Sequence, residues 1–529
     1  MKFDAIVVGG GVAGLTAAAY LSKAGYNTLL CEKQDHFGGL VNTFERDGFH
    51  FDGGIRATED SGILFPMLKQ LGIELEFVRN KISLGLEDRI IPIRSEADVR
   101  AYRDMLNAFY PENTTDIEAI MAQIQRVMKL MKVQYGIKNP AFLDMQADRD
   151  YMMKEIFPWM FKYLFTFRKI EKLNTPVEDF LRQFTDNQAL LDIITQHFFK
   201  ATPAFFALGY LKLYLEYFYP LGGTGVLIEA LTDFITVHGG TLRSGTAITS
   251  LNPAGKTVTD SNGQTYEYDT LIWAADLKAL YNGLDLADLP DGKTKQTILD
   301  RKTEVADKKG NDSILTLFVA ADLDPTYFSG IASEHFFYTP SRKGETAAGP
   351  LPIGKDKETV WRWLADFFAL TTYEIAIPVL RDPSMAPEDQ TGLVISMLFD
   401  YRLTKYIRDS GWYDEFKSYT EEQILQTLTN SVYPELADKV LFKFSSTPLT
   451  IEQISGNTEG AITGWAFTND PIPAEDGLPK IFSASKTPIP DVFQAGQWTY
   501  SPSGLPISIL TGKLSADRAI KALGKKQGR

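Results

Sequence analysis

Cysteine is nearly absent. Cys31 is the only one in 529 residues, so no internal disulfide can form, and CxxC redox or cysteine-rich zinc sites are excluded. A reducing cytosol fits that usage. Histidine is scarce as well: His36, His50, His197, His238 and His335 show no HxxxH or HExxH spacing, which argues against a metal centre. No GxSxG elbow occurs, so a serine-hydrolase reading has no support. Basic residues are in deficit, 54 against 67 acidic, for a net charge of −13. That excludes a general nucleic-acid surface, which needs clustered Lys and Arg. Long apolar runs are missing too. Phe205 to Leu221 comes nearest, but Lys212 and Glu216 interrupt it, and a spanning helix needs roughly 18 apolar residues without charge. The apolar start, Phe3 to Tyr20, lacks a basic leader and carries Asp4 in its place. The expected location is cytoplasmic, with peripheral contact with the inner face of the membrane as a further expectation. Nothing in the sequence specifies an oligomeric state.

The composition that remains, 44% hydrophobic and 23% charged, is that of a globular chain long enough for more than one core. Phe3–Val8 has strand length, Gly9 to Gly11 make a turn, and Val12 to Ala24 reads as a helix stopped by Gly25. A second apolar run, Tyr26 to Cys31, completes a β-α-β unit. From about residue 95 to 220 the pattern is helical, with a long amphipathic stretch at Asp116–Val133 and aromatic segments at Tyr151–Phe167 and Phe198–Tyr219. A helix is expected over Val226–His238, closed by Gly239-Gly240. Short strands are expected at 246–251, 256–259 and 270–273, with a hairpin turn at Asn262-Gly263. Further along come strands at 314–319 and 393–399, a helix over 420–433, a strand into Gly496, a closing helix over 507–523, and a frayed tail at 525–529.

Gly9-x-Gly11-x-x-Gly14 follows a strand and opens a helix, which is the context that gives this weak motif meaning. Gly9 permits the tight turn, Gly11 lets backbone approach a pyrophosphate on the helix N-terminus, and Gly14 allows close helix–strand packing. Glu32 lies twenty-three positions after Gly9, where a carboxylate accepts hydrogen bonds from ribose hydroxyls. These residues specify a Rossmann-type dinucleotide site and leave FAD and NAD open.

The spacing Glu32, Gly38-Gly39, then Phe51-Asp52-Gly53-Gly54 resembles the FAD-binding start shared by amine oxidases, phytoene desaturases and their relatives. The likeness returns at Tyr219–Gly225 and at Asp491–Thr499. Ala376–Val379 followed by Asp382–Pro387, and the run from Ser485 to Gly512, are similar to phytoene desaturases, carotenoid isomerases and retinol-saturase-like proteins. The resemblance implies FAD, a fold of class α/β and a discontinuous Rossmann-like FAD-binding domain over 1–75, 221–290 and 455–529. It further implies an inserted α+β substrate domain over 76–220 and 291–454, with a helical, membrane-facing lid at about 115–220. The cofactor contacts it implies are Gly9, Gly11, Ala13, Gly14, Glu32, Lys33, Gly38, Gly39, Leu40, Gly53, Gly54, Ile248, Gly496, Gln497, Pro506 and Ile507.

Two departures bear on the chemistry. Amine oxidases usually carry Arg after the first glycine pair, where this chain has Leu40, and the C-terminal motif often has an acid where this chain has Gln497. The branch so indicated implies a lipophilic polyene or isoprenoid substrate, desaturated, saturated or isomerised through hydride transfer at the flavin. Such a hydrocarbon needs apolar walls and no charge clamp. The aromatics between Phe157 and Tyr219 offer three roles: core, tunnel wall, or an interfacial helix with Lys162, Arg168, Lys169 and Lys172. His50, Asp52, His335 and Tyr338 read as structural, and no catalytic acid or base stands out. The alternatives are an amine oxidase of the same fold and a non-catalytic prenyl-lipid carrier that has lost its flavin.

Overall fold

The computed structural model describes residues 1–144, 146–477 and 480–526. Two seven-stranded sheets organise it. The first is built outward from Lys2–Val8, which pairs in parallel with Thr28–Cys31 on one side and with Thr265–Trp273 on the other. Thr241–Arg243 extends one edge. The first residues of the long strand Thr265–Trp273 take an antiparallel hairpin, and its last residues pair in parallel with Val492–Gln494. Residues from the beginning, middle and end of the chain therefore finish at one level: Gly9 donates to the Cys31 carbonyl, Ala274 to that of Val8, and Ala495 to that of Trp273. In an open parallel sheet a ligand crevice forms at that end of the strands.

The helix Val12–Lys23 is buried over most of its length because it lies between the sheet and two further helices, Val226–Val237 and Leu505–Lys526. Its small residues, Ala13, Ala17, Ala18 and Ala19, are what such close packing requires. The closing helix runs into the first two residues of the expected tail, and 527–529 lie outside the described residues.

The second sheet runs in the order Val440–Ser446, Ser313–Ala321, Thr391–Phe399, Tyr373–Ala376, His335–Thr339, Ile82–Leu86, Arg89–Ile93. It is antiparallel except where His335–Thr339 meets Ile82–Leu86. Lys357–Leu370 and Tyr413–Thr429 cover one face, with Phe368, Phe399 and Phe416 between them. The latter helix begins seven residues before the expected start and ends four residues before the expected end. A separate helical body, including Thr114–Tyr135 and Ala204–Tyr214, packs around Ile117, Ile124, Met131 and Leu208.

The aromatic stretch expected to continue helically through Tyr219 instead breaks. The helix ends at Tyr214 and Tyr217–Pro220 is a strand, pairing with Thr58–Glu59 and Phe77–Arg79. Strand geometry alternates its residues, so Tyr217 and Tyr219 share one face and Phe218 takes the other. Helical periodicity was masked here by pairing with partners about 140 to 160 residues away in the chain.

Candidate functional site

A single cavity of about 600 Å³ opens at the carboxyl ends of the parallel strands and continues to the face of the second sheet. Its first half is made largely of backbone. Gly9 has φ +105°, and a Cβ there would meet the Ala274 carbonyl at 2.7 Å. Gly11 is different: a Cβ would meet nothing nearer than the Gly38 carbonyl at 4.0 Å, so a side chain would project into open cleft rather than into the fold. Helix Val12–Lys23 has no side-chain cap at its N-terminus, and its first-turn N–H groups have no intrahelical partners. Val12 and Ala13 of that turn form part of the cavity wall. An uncapped, positively polarised helix end behind a side-chain-free turn accommodates a pyrophosphate.

Glu32 closes this half. Its carboxylate accepts from the Gly10 N–H at 2.6 Å and from the Gln34 N–H at 2.9 Å, which fixes it in the wall with acceptor capacity to spare for hydroxyls. Lys33 stands beside it, its pKa lowered by burial against the opposing pull of Glu32. Cys31 is buried in the wall, and burial pushes its thiol up to about 12, so it is no nucleophile at neutral pH. Gly38, Gly39, Leu40, Gly53, Gly54, Ile248, Gly496 and Gln497 also line the cavity. Gly14, Pro506 and Ile507 do not. A Cβ at Gly14 would lie 1.9 Å from the Gly9 carbonyl, so its part is helix–strand packing, and Ile507 is in the core. At the last helix the wall is formed by Ser503, Gly504, Leu505 and Ser508 instead. The reason is helical geometry: only one side of the first turn faces the cleft.

One buried carboxylate ties the segments around this cleft together. Asp52 accepts from Thr43 Oγ1 (2.8 Å), Thr224 N (2.9 Å), Thr224 Oγ1 (2.9 Å) and Tyr219 OH (2.8 Å). It is wholly buried and saturated, in keeping with a structural part.

The second half of the cavity is made of side chains, and most of them carried no signal in the sequence. Arg56 is 4% exposed; it donates to the carbonyls of Asp52 (2.9 Å) and Gly54 and to Ser396 Oγ (2.8 Å). Ser396 sits opposite Glu374 across two paired strands. The Glu374 carboxylate faces the cavity and accepts from His335 Nε2 at 2.8 Å, while Asn80 Nδ2 donates to His335 Nδ1 at 3.1 Å. That arrangement is a neutral imidazole, and burial lowers the His335 pKa against the pull of Glu374. Burial alone would raise the Glu374 pKa; the His335 hydrogen bond and the charges of Arg56 and Arg381 outweigh it and hold the carboxyl below its usual range.

Glu59 lines the same cavity and is paired with Tyr217 on adjacent strands. Burial pushes Glu59 up to about 7, and among the described residues no cation forms an ion pair with it. The Tyr210 and Tyr217 hydroxyls are 2.7 Å apart. Phe199, Phe206, Ile314 and Ile462 complete the wall. Tyr210 also stands in the wall of a smaller cavity of about 50 Å³, lined by Leu84, Ile193, Ile194 and Phe337. The wall is therefore not purely apolar, contrary to the expectation for a bare hydrocarbon. His335 belongs to the site through Glu374, whereas Tyr338 is in the core. The local signal for Arg56 and Glu59 was their position just after Gly53-Gly54; Glu374 had none.

The aromatic segment 157–167 lies elsewhere. Helix Phe157–Glu171 contributes nothing to either cavity. Phe157, Met160, Phe161, Leu164 and Phe165 are exposed, Phe165 to 80%. Trp159, Tyr163, Phe167 and Ile170 are half-buried; Trp159 and Tyr163 stack at 5.0 Å, and the Trp159 indole donates to the Val133 carbonyl at 2.5 Å.

Parallel strands ending at a glycine cradle, an uncapped helix end and an acid at the close of the second strand define a dinucleotide-binding protein of the Rossmann type. The sequence model of the family described as flavin containing amine oxidoreductase matches residues 12–301, more than half of the chain, and the protein belongs to that family. The 4,4'-diapophytoene desaturase (4,4'-diaponeurosporene-forming) of Staphylococcus aureus strain COL is 21% identical over 97% of this chain and 98% of its own length. Among solved structures, an oxidoreductase from Methanosarcina mazei superposes with a TM-score of 0.60 at 14% identity, covering 98% of this chain and 100% of that one. Putrescine oxidase bound to putrescine gives 0.59 at 15% identity, covering 98% and 99%. Reduced UDP-galactopyranose mutase gives 0.55 at 15%, covering 99% and 96%. These likenesses establish the fold, and FAD is the cofactor of this FAD-dependent oxidoreductase.

Proposed function

We propose that the protein desaturates, saturates or isomerises a lipophilic alkene or polyene taken from a membrane surface. The observation that carries this reading is the continuation of the nucleotide cleft into an aromatic and aliphatic chamber, Phe199, Phe206, Tyr210, Tyr217, Ile314 and Ile462. A desaturase alignable over nearly the whole chain supports it. When bound, FAD supplies hydride transfer, and the chain's part is to hold the alkene against it and exclude water. Gly9, Gly11, Ala13, Glu32, Lys33, Gly38, Gly39, Leu40, Gly53, Gly54, Ile248, Gly496 and Gln497 are the residues we assign to holding the cofactor. The test is incubation of the flavin-loaded protein with polyenes and retinoids, oxidised and reduced in parallel. Conversion of at least one is expected; no conversion of any lipophilic alkene would remove the proposal.

Access from a bilayer belongs to the same reading. The exposed side chains at 157, 160, 161, 164 and 165 follow helical spacing, and Lys162, Arg168, Lys169 and Lys172 are exposed beside them in a chain of net charge −13. No helix among the described residues is long and apolar enough to cross a membrane, so the contact proposed is interfacial. Wild type is expected to co-sediment with anionic phosphatidylglycerol vesicles, and Phe161→Ser with Phe165→Ser to stay in the supernatant. Equal recovery of both proteins would defeat it.

Amine oxidation is the second reading, favoured by the cavity carboxylates Glu59 and Glu374. Peroxide release from putrescine or benzylamine would support it, and its absence would leave the alkene reading alone.

A further inference from the structure

The polar groups in the chamber are an obstacle for a bare hydrocarbon. Glu374 faces the cavity with one oxygen engaged by His335. Glu59 lies in the wall beside Tyr217, whose hydroxyl meets that of Tyr210 at 2.7 Å. If a saturated carbon surface displaced water from these groups, their remaining hydrogen-bonding capacity would go unmet, which is costly in a buried site. A substrate that fills the chamber therefore has to bring hydrogen-bonding atoms of its own.

Resting on the proposed alkene chemistry, we infer that the substrate is an isoprenoid alcohol, whose hydroxyl is received between Glu374 and the Glu59–Tyr217 pair. The chemistry of each wall selects among the polar ends available. Glu374 is held below the usual carboxylate range, so it is an acceptor that needs a donor. Glu59, raised by burial to about 7, offers a carboxyl proton on the acid side of neutrality, and the Tyr210–Tyr217 pair, in which one hydroxyl donates to the other, has one further proton to offer throughout. A hydroxyl gives one hydrogen and accepts another, matching both sides. A carboxylate end would stand against the Glu374 charge. A cationic end has less to gain, because Arg56 and Arg381 already act on Glu374 and His335 already donates to it.

The position of this cluster is specified by the sheet. Glu374 and Ser396 are cross-strand neighbours, Ser396 receives Arg56, and Arg56 is two residues from Gly54 of the nucleotide half. The Tyr217 ring is 5.9 Å from that of His335. The alcohol end is thus received close to the cofactor's edge of the chamber, and the apolar chain extends past Phe199 and Phe206.

The test is binding by the flavin-loaded full chain of three isoprenoids with one carbon skeleton, delivered from the same detergent. They are geranylgeraniol, geranylgeranoic acid and the hydrocarbon lacking the terminal oxygen. Quenching of Trp273 and Trp498, both in the cavity wall, and perturbation of the flavin band report occupancy. The alcohol is expected to bind on the order of tenfold or more tighter than the other two. In Glu374→Leu, with flavin content checked, the preference should fall to about twofold or less, because the alcohol binds more weakly and the hydrocarbon more tightly than in wild type. Tyr217→Phe, a smaller change, should reduce it by about threefold. Equal binding of alcohol and hydrocarbon, tightest binding of the acid, or an undiminished preference in Glu374→Leu would overturn the inference and leave the alkene reading standing. Failure of all three to bind would overturn both.

Discussion

The two halves of the cavity are built on opposite principles. The nucleotide half is backbone: glycines, a bare helix end and one acid pinned by two N–H groups. The chamber beyond it is side chain: Glu59, Tyr217 and Glu374 come from strands, Arg56 from a loop and Tyr210 from the helix Ala204–Tyr214. A dinucleotide presents the same phosphates and ribose to every protein that binds it, and main-chain donors at fixed spacing suffice. A substrate differs from one enzyme to the next, and its selection falls to residues that can change without disturbing the strands beneath them.

That contrast predicts which substitutions abolish cofactor binding and which only retune. Gly11→Val should have the largest effect, weakening FAD retention by on the order of a hundredfold or more while the fold survives, because its side chain enters open cleft. Flavin absorbance of the purified protein, with circular dichroism as the control, measures this; a yellow, stoichiometric Gly11→Val protein would break the comparison. Asp52→Ala follows, with a loss of about 3 kcal/mol in stability, since four donors lose one buried acceptor. Chemical denaturation would show it, and an unchanged midpoint would remove Asp52 as the tie between segments. Glu32→Ala should cost about 2 kcal/mol of FAD affinity, read by flavin-release titration, with little change in the chamber.

The smallest effect sharpens the other half. Glu59 has its pKa raised from 4.5 to about 7 by burial, so the native state binds more protons than the unfolded one between those values. Stability therefore falls as pH rises through that window and is level above it. Glu59→Gln removes the titration. Its melting temperature relative to wild type should rise between pH 4.5 and 7 and then hold constant, whereas a pH-independent difference would place Glu59 in contact with bulk water.

Legibility followed the same division. Gly9, Gly11 and Glu32, which line the cavity, could be picked out because a dinucleotide turn, a close backbone approach and a ribose contact would each demand one residue type at one spacing. The resemblance extended this to Gly38-Gly39, Gly53-Gly54 and Gly496, which line the same cavity. Pro506 and Ile507 missed it by a fraction of a helical turn, a difference that no spacing in sequence reports. Phe157, Phe161 and Phe165 have the periodicity of a core stripe yet lie exposed, because periodicity specifies a face and not what covers it.

By itself, the sequence determined a Rossmann-type dinucleotide site and pointed to glycine segments hundreds of residues apart that line one cavity, since each carries its own local stereochemical requirement. Only the tertiary structure decided which side chains line the chamber beyond it. Glu59 and Tyr217 pair on one small sheet, His335 and Glu374 meet on neighbouring strands of the second large sheet, and the two sets line one cavity although they come from three separate regions of the chain. Register between distant strands is set by the packing of the whole sheet, and no local pattern encodes it.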